Sequence, residues 1–171
     1  MERTDPDPGG DEVTLLCQFL DYHRDTLVMK ASGLDKRQLA TRSGRSTLTL
    51  AGLVKHMALV EDSWFHEVLL GRATPEPWAG VDWDADPDWE FRTAAGDEPE
   101  ELLRLYGTAC ERSRAAVAEV GDLDALSAKP SRRTGERFNL RWIMLHMIEE
   151  TARHNGHADL LRENIDGVTG E

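Results

Sequence analysis

The chain has 171 residues, a net charge of −12, 40% apolar residues and two cysteines. That length suits one domain with a real core. The acidic balance, without any basic block, argues against nucleic acid and anionic membranes as partners, and no apolar run approaches the ~20 residues that cross a bilayer.

In chain order, residues 1–10 are a breaker-rich acidic tail, expected to be disordered and unlike a signal peptide. The helical domain is expected over 11–165. The first helix should run from about Asp11 to Ala31 and close at Gly33, with Val13, Leu16, Leu20, His23 and Leu27 on its inner stripe. Cys17 on this helix and Cys110 on a later one lie in separate apolar patterns. They are expected as small buried hydrophobes rather than a disulfide, in a cytoplasmic protein. A polar connection over 32–46 leads to a second helix capped by Ser46 or Thr47 and ending near Leu70. Its stripe is Leu53, His56, Met57, Val60, Trp64, Val68; His66 falls off it and is expected at the surface.

Residues 72–97 carry Pro75, Pro77 and Pro87 with Trp78, Trp83 and Trp89, and show no sustained period. A segment this long can cross a helix about 30 Å in length, since extended chain covers roughly 3.3 Å per residue. It predicts a crossover pinned by the tryptophans, with the helices on either side parallel. The third helix is expected over Pro99–Val120, with Arg112 and Arg114 solvated beside its stripe. Residues 121–137 are a connection that leaves room for a short strand or irregular ribbon. The last helix spans about Phe138–Asn164, with a frayed tail from 166. Four long amphipathic patterns predict an all-α four-helix bundle.

The last helix carries the chemistry. At 3.6 residues per turn, one stripe holds Leu140, Ile143, Met147, Glu150, His154 and Leu161. Glu150 and His154 sit one turn apart, the spacing of paired ligands on metal-binding helices. An ionised carboxylate on an inward stripe needs a partner or a cation. The same spacing also fits a surface ion pair, so a metal site requires a third donor from elsewhere. His56 is a histidine among apolar neighbours on the second helix and completes such a set.

The stretches STLTLAGLVKHMALVEDSWF and LHMIEETARHNGHADLLRE, with the order helix, helix, long loop, helix, helix, resemble the DinB superfamily of YfiT-like, metal-dependent helical bundles. Many members carry a histidine in the second helix and an HxxxHxGQ pattern in the last. Aligned on His154, Asn155 and Gly156, this chain has Glu150 at the first ligand position and His157 where glutamine is common. The glutamate makes it similar to the mycothiol-dependent maleylpyruvate isomerase branch, whose zinc site is two histidines and one glutamate. The resemblance implies His56, Glu150 and His154 as ligands of a divalent metal, most simply zinc; nickel, manganese or iron also accept this ligand type. His146 and His157 lie off the stripe and, with His23 and Trp64, are expected behind the ligands or against substrate.

The resemblance implies a metal-dependent thiol S-transferase that joins mycothiol to an electrophilic small molecule. The metal would lower the thiol pKa, so no protein nucleophile is needed. Two other readings use the same residues: a mycothiol-dependent isomerase of an unsaturated acid, and a non-catalytic metal-binding stress-response protein. A homodimer is expected, as for many bundles of this type, through an apolar strip on the first or third helix.

Overall fold

The computed structural model describes residues 3–170. The chain is mostly helical, with one small two-stranded sheet. Residues 1, 2 and 171 of the expected tails lie outside the described residues. Within the N-terminal stretch, Arg3 donates to Thr26 Oγ1 at 2.8 Å and lies over the Tyr22 ring, and the Asp7 amide donates to Gln18 Oε1.

Helix α1 (Glu12–Ala31) starts where Asp11 accepts from the Thr14 amide, which satisfies one of the free donors of the first turn. A short helix α2 (Lys36–Leu39), closed by an Asp35–Gln38 capping box, interrupts the following connection. Helix α3 (Leu50–Glu61) is capped by Thr49, two residues beyond the farther of the two expected caps. It continues in π-helical turns over Asp62–Leu69. Helix α4 (Trp89–Thr93) lies within the long connection. Helix α5 (Pro99–Val120) begins with proline in its first turn, followed by Glu100 and Glu101, and stops at left-handed Gly121; each feature matches the end of the helix dipole or the backbone it serves. Strands β1 (Leu126–Pro130) and β2 (Arg137–Asn139) form an antiparallel ribbon with an irregular register. Helix α6 (Leu140–Asp166), capped by Asn139, completes the chain.

Cross-helix bonds fix the directions. Lys55 meets Asp97 just ahead of α5, Asp62 meets Arg112 in its middle, and Arg72 meets Glu119 near its end. The α3 segment and α5 therefore run parallel, as a crossover demands. The crossover is less irregular than its sequence suggests. Trp78 starts a single 3-10 turn, and Trp89 starts α4. Trp78 is buried and its Nε1–H donates to Asp62 Oδ2 at 2.8 Å. Likewise α1 and α6 run parallel: Glu12 pairs with Arg141, Asn155 donates to the His23 carbonyl, and Arg162 donates to the Lys30 carbonyl.

The core between these helices is made by Leu20 and Leu27 of α1, Leu53 and Met57 of α3, Tyr106 of α5, and Ile143 and Met147 of α6. Expectations about facing are corrected at three places. Val13, expected on the inner stripe of α1, is exposed at the first turn of the helix. The π turns rotate the stripe, so Phe65 and Leu69 are buried while Trp64 and Val68 are half-buried. Arg112 is half-buried rather than simply solvated: its guanidinium donates twice to the buried carboxylate of Asp62, both at 2.8 Å.

Candidate metal centre

On α6 the fully buried line passes through Met147, Thr151, Asn155 and Ala158. Glu150 and His154 stand one residue to the side of it, on the shoulder facing α3, and are half-buried rather than enclosed. His56 of α3 meets them across the helix interface. One donor atom from each of the three lies within 4.8 Å of the others. His154 Nε2 is 3.3 Å from Glu150 Oε1, and His56 Nε2 is 4.0 Å from the same oxygen. The two imidazoles meet edge-on, with ring centroids 5.1 Å apart.

Each histidine is held from behind. His56 Nδ1 lies 2.9 Å from Glu90 Oε1 on α4. With a carboxylate oxygen as the acceptor, Nδ1–H is the donor of this contact, and Nε2 is left directed toward Glu150. On its other side His56 stacks on Phe91, centroids 4.7 Å apart. His154 Nδ1 lies 3.4 Å from His157 Nδ1, a long contact that leaves its Nε2 facing Glu150. Burial and the neighbouring His56 hold the His154 imidazole below its ordinary pKa, against the opposing pull of Glu150. That favours the neutral imidazole, the form that ligates.

This donor set fits a divalent metal: two imidazole nitrogens and a carboxylate oxygen converge, and a fourth direction is left to solvent or substrate. A second feature agrees. Glu90 is 4% exposed, and its Oε2 has no hydrogen-bond partner among the described residues. A buried carboxylate behind a ligating histidine is the usual outer support of such sites.

The model of the mycothiol S-transferase family matches residues 15–167, which include all three donors and Glu90. The chain belongs to the mycothiol S-transferase family, within the DinB/YfiT-like superfamily. No curated protein matches it in sequence.

The other histidines of this mycothiol S-transferase family member, besides His157, lie in three different places. His146, one turn before Glu150, stacks on Trp142 and meets Trp64 edge-on, with centroids 5.1 and 4.6 Å away. Trp64 also packs on Phe138. Phe138, Trp142, His146, Glu150 and His154 thus follow one another every fourth residue, so an aromatic wall leads up to the trio. His23 instead lies on the α1 side of α6, lining a small cavity with Arg3, Thr26 and Asn155; it is not part of the wall. His66, expected at the surface, is half-buried in the π turns.

Glu90 was not legible in the sequence. It sits in the proline- and tryptophan-rich connection, whose lack of period hides any facing. The available signal was a carboxylate flanked by Trp89 and Phe91, a pair of aromatics able to bury it. Arg24 and Glu61 were also missed. They form a bidentate ion pair at 2.7 and 2.6 Å in the interior, and Glu61 raises the Arg24 pKa despite its burial.

Proposed function

We propose that the protein is a metal-dependent mycothiol S-transferase on a four-helix frame of the DinB type. His56 Nε2, Glu150 and His154 Nε2 would hold the ion, zinc being the simplest choice for this donor set. The observation that carries the reading is the convergence of these three donors with Glu90 locked behind His56. A divalent ion there supplies a Lewis acid that brings thiol deprotonation into the neutral range.

The protein's own groups do the rest. Glu90 and His157 hold the two imidazoles in the tautomer that presents Nε2. Phe91 covers one face of His56 and keeps water from it. Phe91 also lines a cleft of about 480 Å³ with Arg42, Thr47, Asp86, Asp88 and Arg92. Its mixture of donors and acceptors suits the neutral, hydroxyl-rich body of mycothiol. The sulfur then forms a bond to an electrophilic carbon, the group it displaces leaves with the bonding pair, and the thiol proton passes to solvent. No helix among the described residues is long and apolar enough to cross a membrane, which agrees with two small-molecule substrates met in water. A homodimer through α1, where Val13 and Phe19 are exposed, belongs to this reading and is tested by sedimentation.

The deciding experiment is on Glu150. Glu150→Gln keeps the shape and removes the charge. The variant should bind zinc at least tenfold more weakly and lose conjugation of mycothiol to monochlorobimane. Its metal-free melting temperature should equal or exceed that of the metal-free parent, because a half-buried carboxylate without a cation has gone. Glu150→His should recover part of the zinc affinity. Unaltered zinc affinity in Glu150→Gln would remove the residue from the site.

A further inference from the structure

A cleft of about 650 Å³ opens between the π turns, the tip of the β1–β2 ribbon and the crossover. It begins where the trio ends. Val60, in its wall, is one turn beyond His56, and Trp64, also in its wall, packs on His146, one turn before Glu150. Its walls are apolar and flat, with Trp64, Trp83 and Phe138. Its rim is cationic: Lys129, Arg132 and Arg133 face a single carboxylate, Glu67. Glu67 meets Lys129 at 3.4 Å, and among the described residues the two arginines form no ion pair. The ribbon tip that carries them is a built turn. Ser131 Oγ accepts from the amides of Arg133 and Thr134, and the Gly135 amide donates to the Ser131 carbonyl.

This concentration of positive charge is out of keeping with a chain whose net charge is −12. Charges farther away than the ~8 Å screening length at physiological salt contribute little inside the cleft. Among the residues that line the cleft, three cations stand against one carboxylate; Glu136, across the turn from Ser131, is exposed and is not part of the lining. A neutral, hydroxyl-rich thiol has no use for it. Guanidinium forks match planar oxyanions, and flat aromatic walls match a planar body.

We infer that this cleft seats the electrophile, and that the electrophile is an anion: a planar apolar body with a carboxylate or other oxyanion held by Arg132, Arg133 and Lys129. Its reactive carbon points back along the Trp64–His146 wall toward the trio. The distance suits a small molecule, since the eight residues from His56 to Trp64 rise by about 12 Å in α-helical geometry and less through π turns. Calling the occupant the electrophile rests on the thiol-transfer reading. The preference of the cleft for a planar anion does not.

The test separates the two. Binding of 3,5-dinitrobenzoate and of neutral 1,3-dinitrobenzene is followed by quenching of tryptophan fluorescence on the full chain with no thiol added. The acid should bind at least tenfold more tightly than the neutral arene, and the gap should shrink in high salt. The triple variant K129Q/R132Q/R133Q should bring the two within about twofold, while R132K/R133K should keep most of the gap. Trp64→Phe should reduce the depth of quenching. Equal binding of acid and neutral arene by the parent, or a gap that survives the triple substitution, would overturn the assignment. Conjugation of mycothiol is then compared for 4-chloro-3,5-dinitrobenzoate and 1-chloro-2,4-dinitrobenzene, where an S–C bond forms and chloride leaves. The same triple variant should raise KM for the acid about tenfold and raise that for the neutral arene far less, so that the preference for the acid collapses. Tight binding of the acid with no conjugation of either arene would sink the transferase reading and leave the anion site standing.

Discussion

Glu61 and Asp62 are adjacent in sequence, yet their buried carboxylates serve opposite flanks: Glu61 takes Arg24 of α1 at 2.7 and 2.6 Å, and Asp62 takes Arg112 of α5 at 2.8 Å. The division falls where α-helical turns give way to π turns. At 3.6 residues per turn, consecutive side chains point about 100° apart, so two adjacent carboxylates reach two different neighbours. The region next to His56 is thereby tied to α1 and α5 at one level.

Removing one partner of such a buried pair leaves a bare charge inside. Arg24→Ala should cost about 3–5 kcal/mol, measured by urea denaturation. The double variant Arg24→Met, Glu61→Leu should recover most of that loss. If the single variant costs less than about 1 kcal/mol, the pair is solvated in solution.

Glu90→Gln tests the support behind His56. The amide keeps the size of the carboxylate and removes the charge that fixes the Nδ1 proton. Metal affinity should fall roughly 10–100-fold. The His56 ring should also lose its single tautomer, visible in the ring nitrogen shifts of the metal-free protein. A merely structural role would leave those shifts in place.

Gly71 ends the π segment with φ at +67°, and a Cβ there would lie 2.8 Å from the Cβ of Ala128 on β1. Gly71→Ala should cost roughly 1–2 kcal/mol from the left-handed conformation alone, with the close contact adding to it. Because Ala128 belongs to the ribbon, the variant should also weaken binding in the cationic cleft. Equal stability of variant and parent in urea would contradict the close approach of ribbon and helix.

His23 gives a pH dependence of definite sign. Burial, and then the charge of Arg3, hold its pKa below the ordinary 6.5. The unfolded chain therefore takes up this proton first as pH falls. Stability is present above 6.5 and is lost as pH drops from there toward the folded pKa. The melting temperature should decline between pH 7.5 and 5.5, and His23→Gln should flatten part of that decline. His154, lowered in the same sense, supplies a remainder. An identical slope in the variant would show His23 to be freely solvated.

The trio was legible because Glu150 and His154 share one helix at a spacing of four, and His56 sits among apolar residues on another. Periodicity reports on such cases directly. It failed where the period changes: the π turns rotate Trp64 and Val68 out of the core, and no local signal marks the start of an i→i+5 run. It failed again for partners that lie on different elements. Nothing within α5 says that Arg112 faces Asp62, and nothing within the crossover says that Glu90 faces His56. The parallel course of α3 and α5 was legible from loop length alone, since a short loop cannot return the chain to the end it left. The antiparallel ribbon was only an open possibility, because its strands of five and three residues are too short to establish an alternation.

The crossover has a thermodynamic consequence of its own. Three of the groups that converge at the trio stand on long helices, but the carboxylate behind His56 stands on the strap that joins α3 to α5. The strap's placement and the orientation of His56 are therefore linked through one contact. On the proposed metal reading, an ion that prefers the ordered imidazole also stabilises the strap through Glu90, and the heat of binding would include that gain. Enzymes that share the three donors but differ in this strap would then differ in affinity for the same ion, with the donors themselves unchanged.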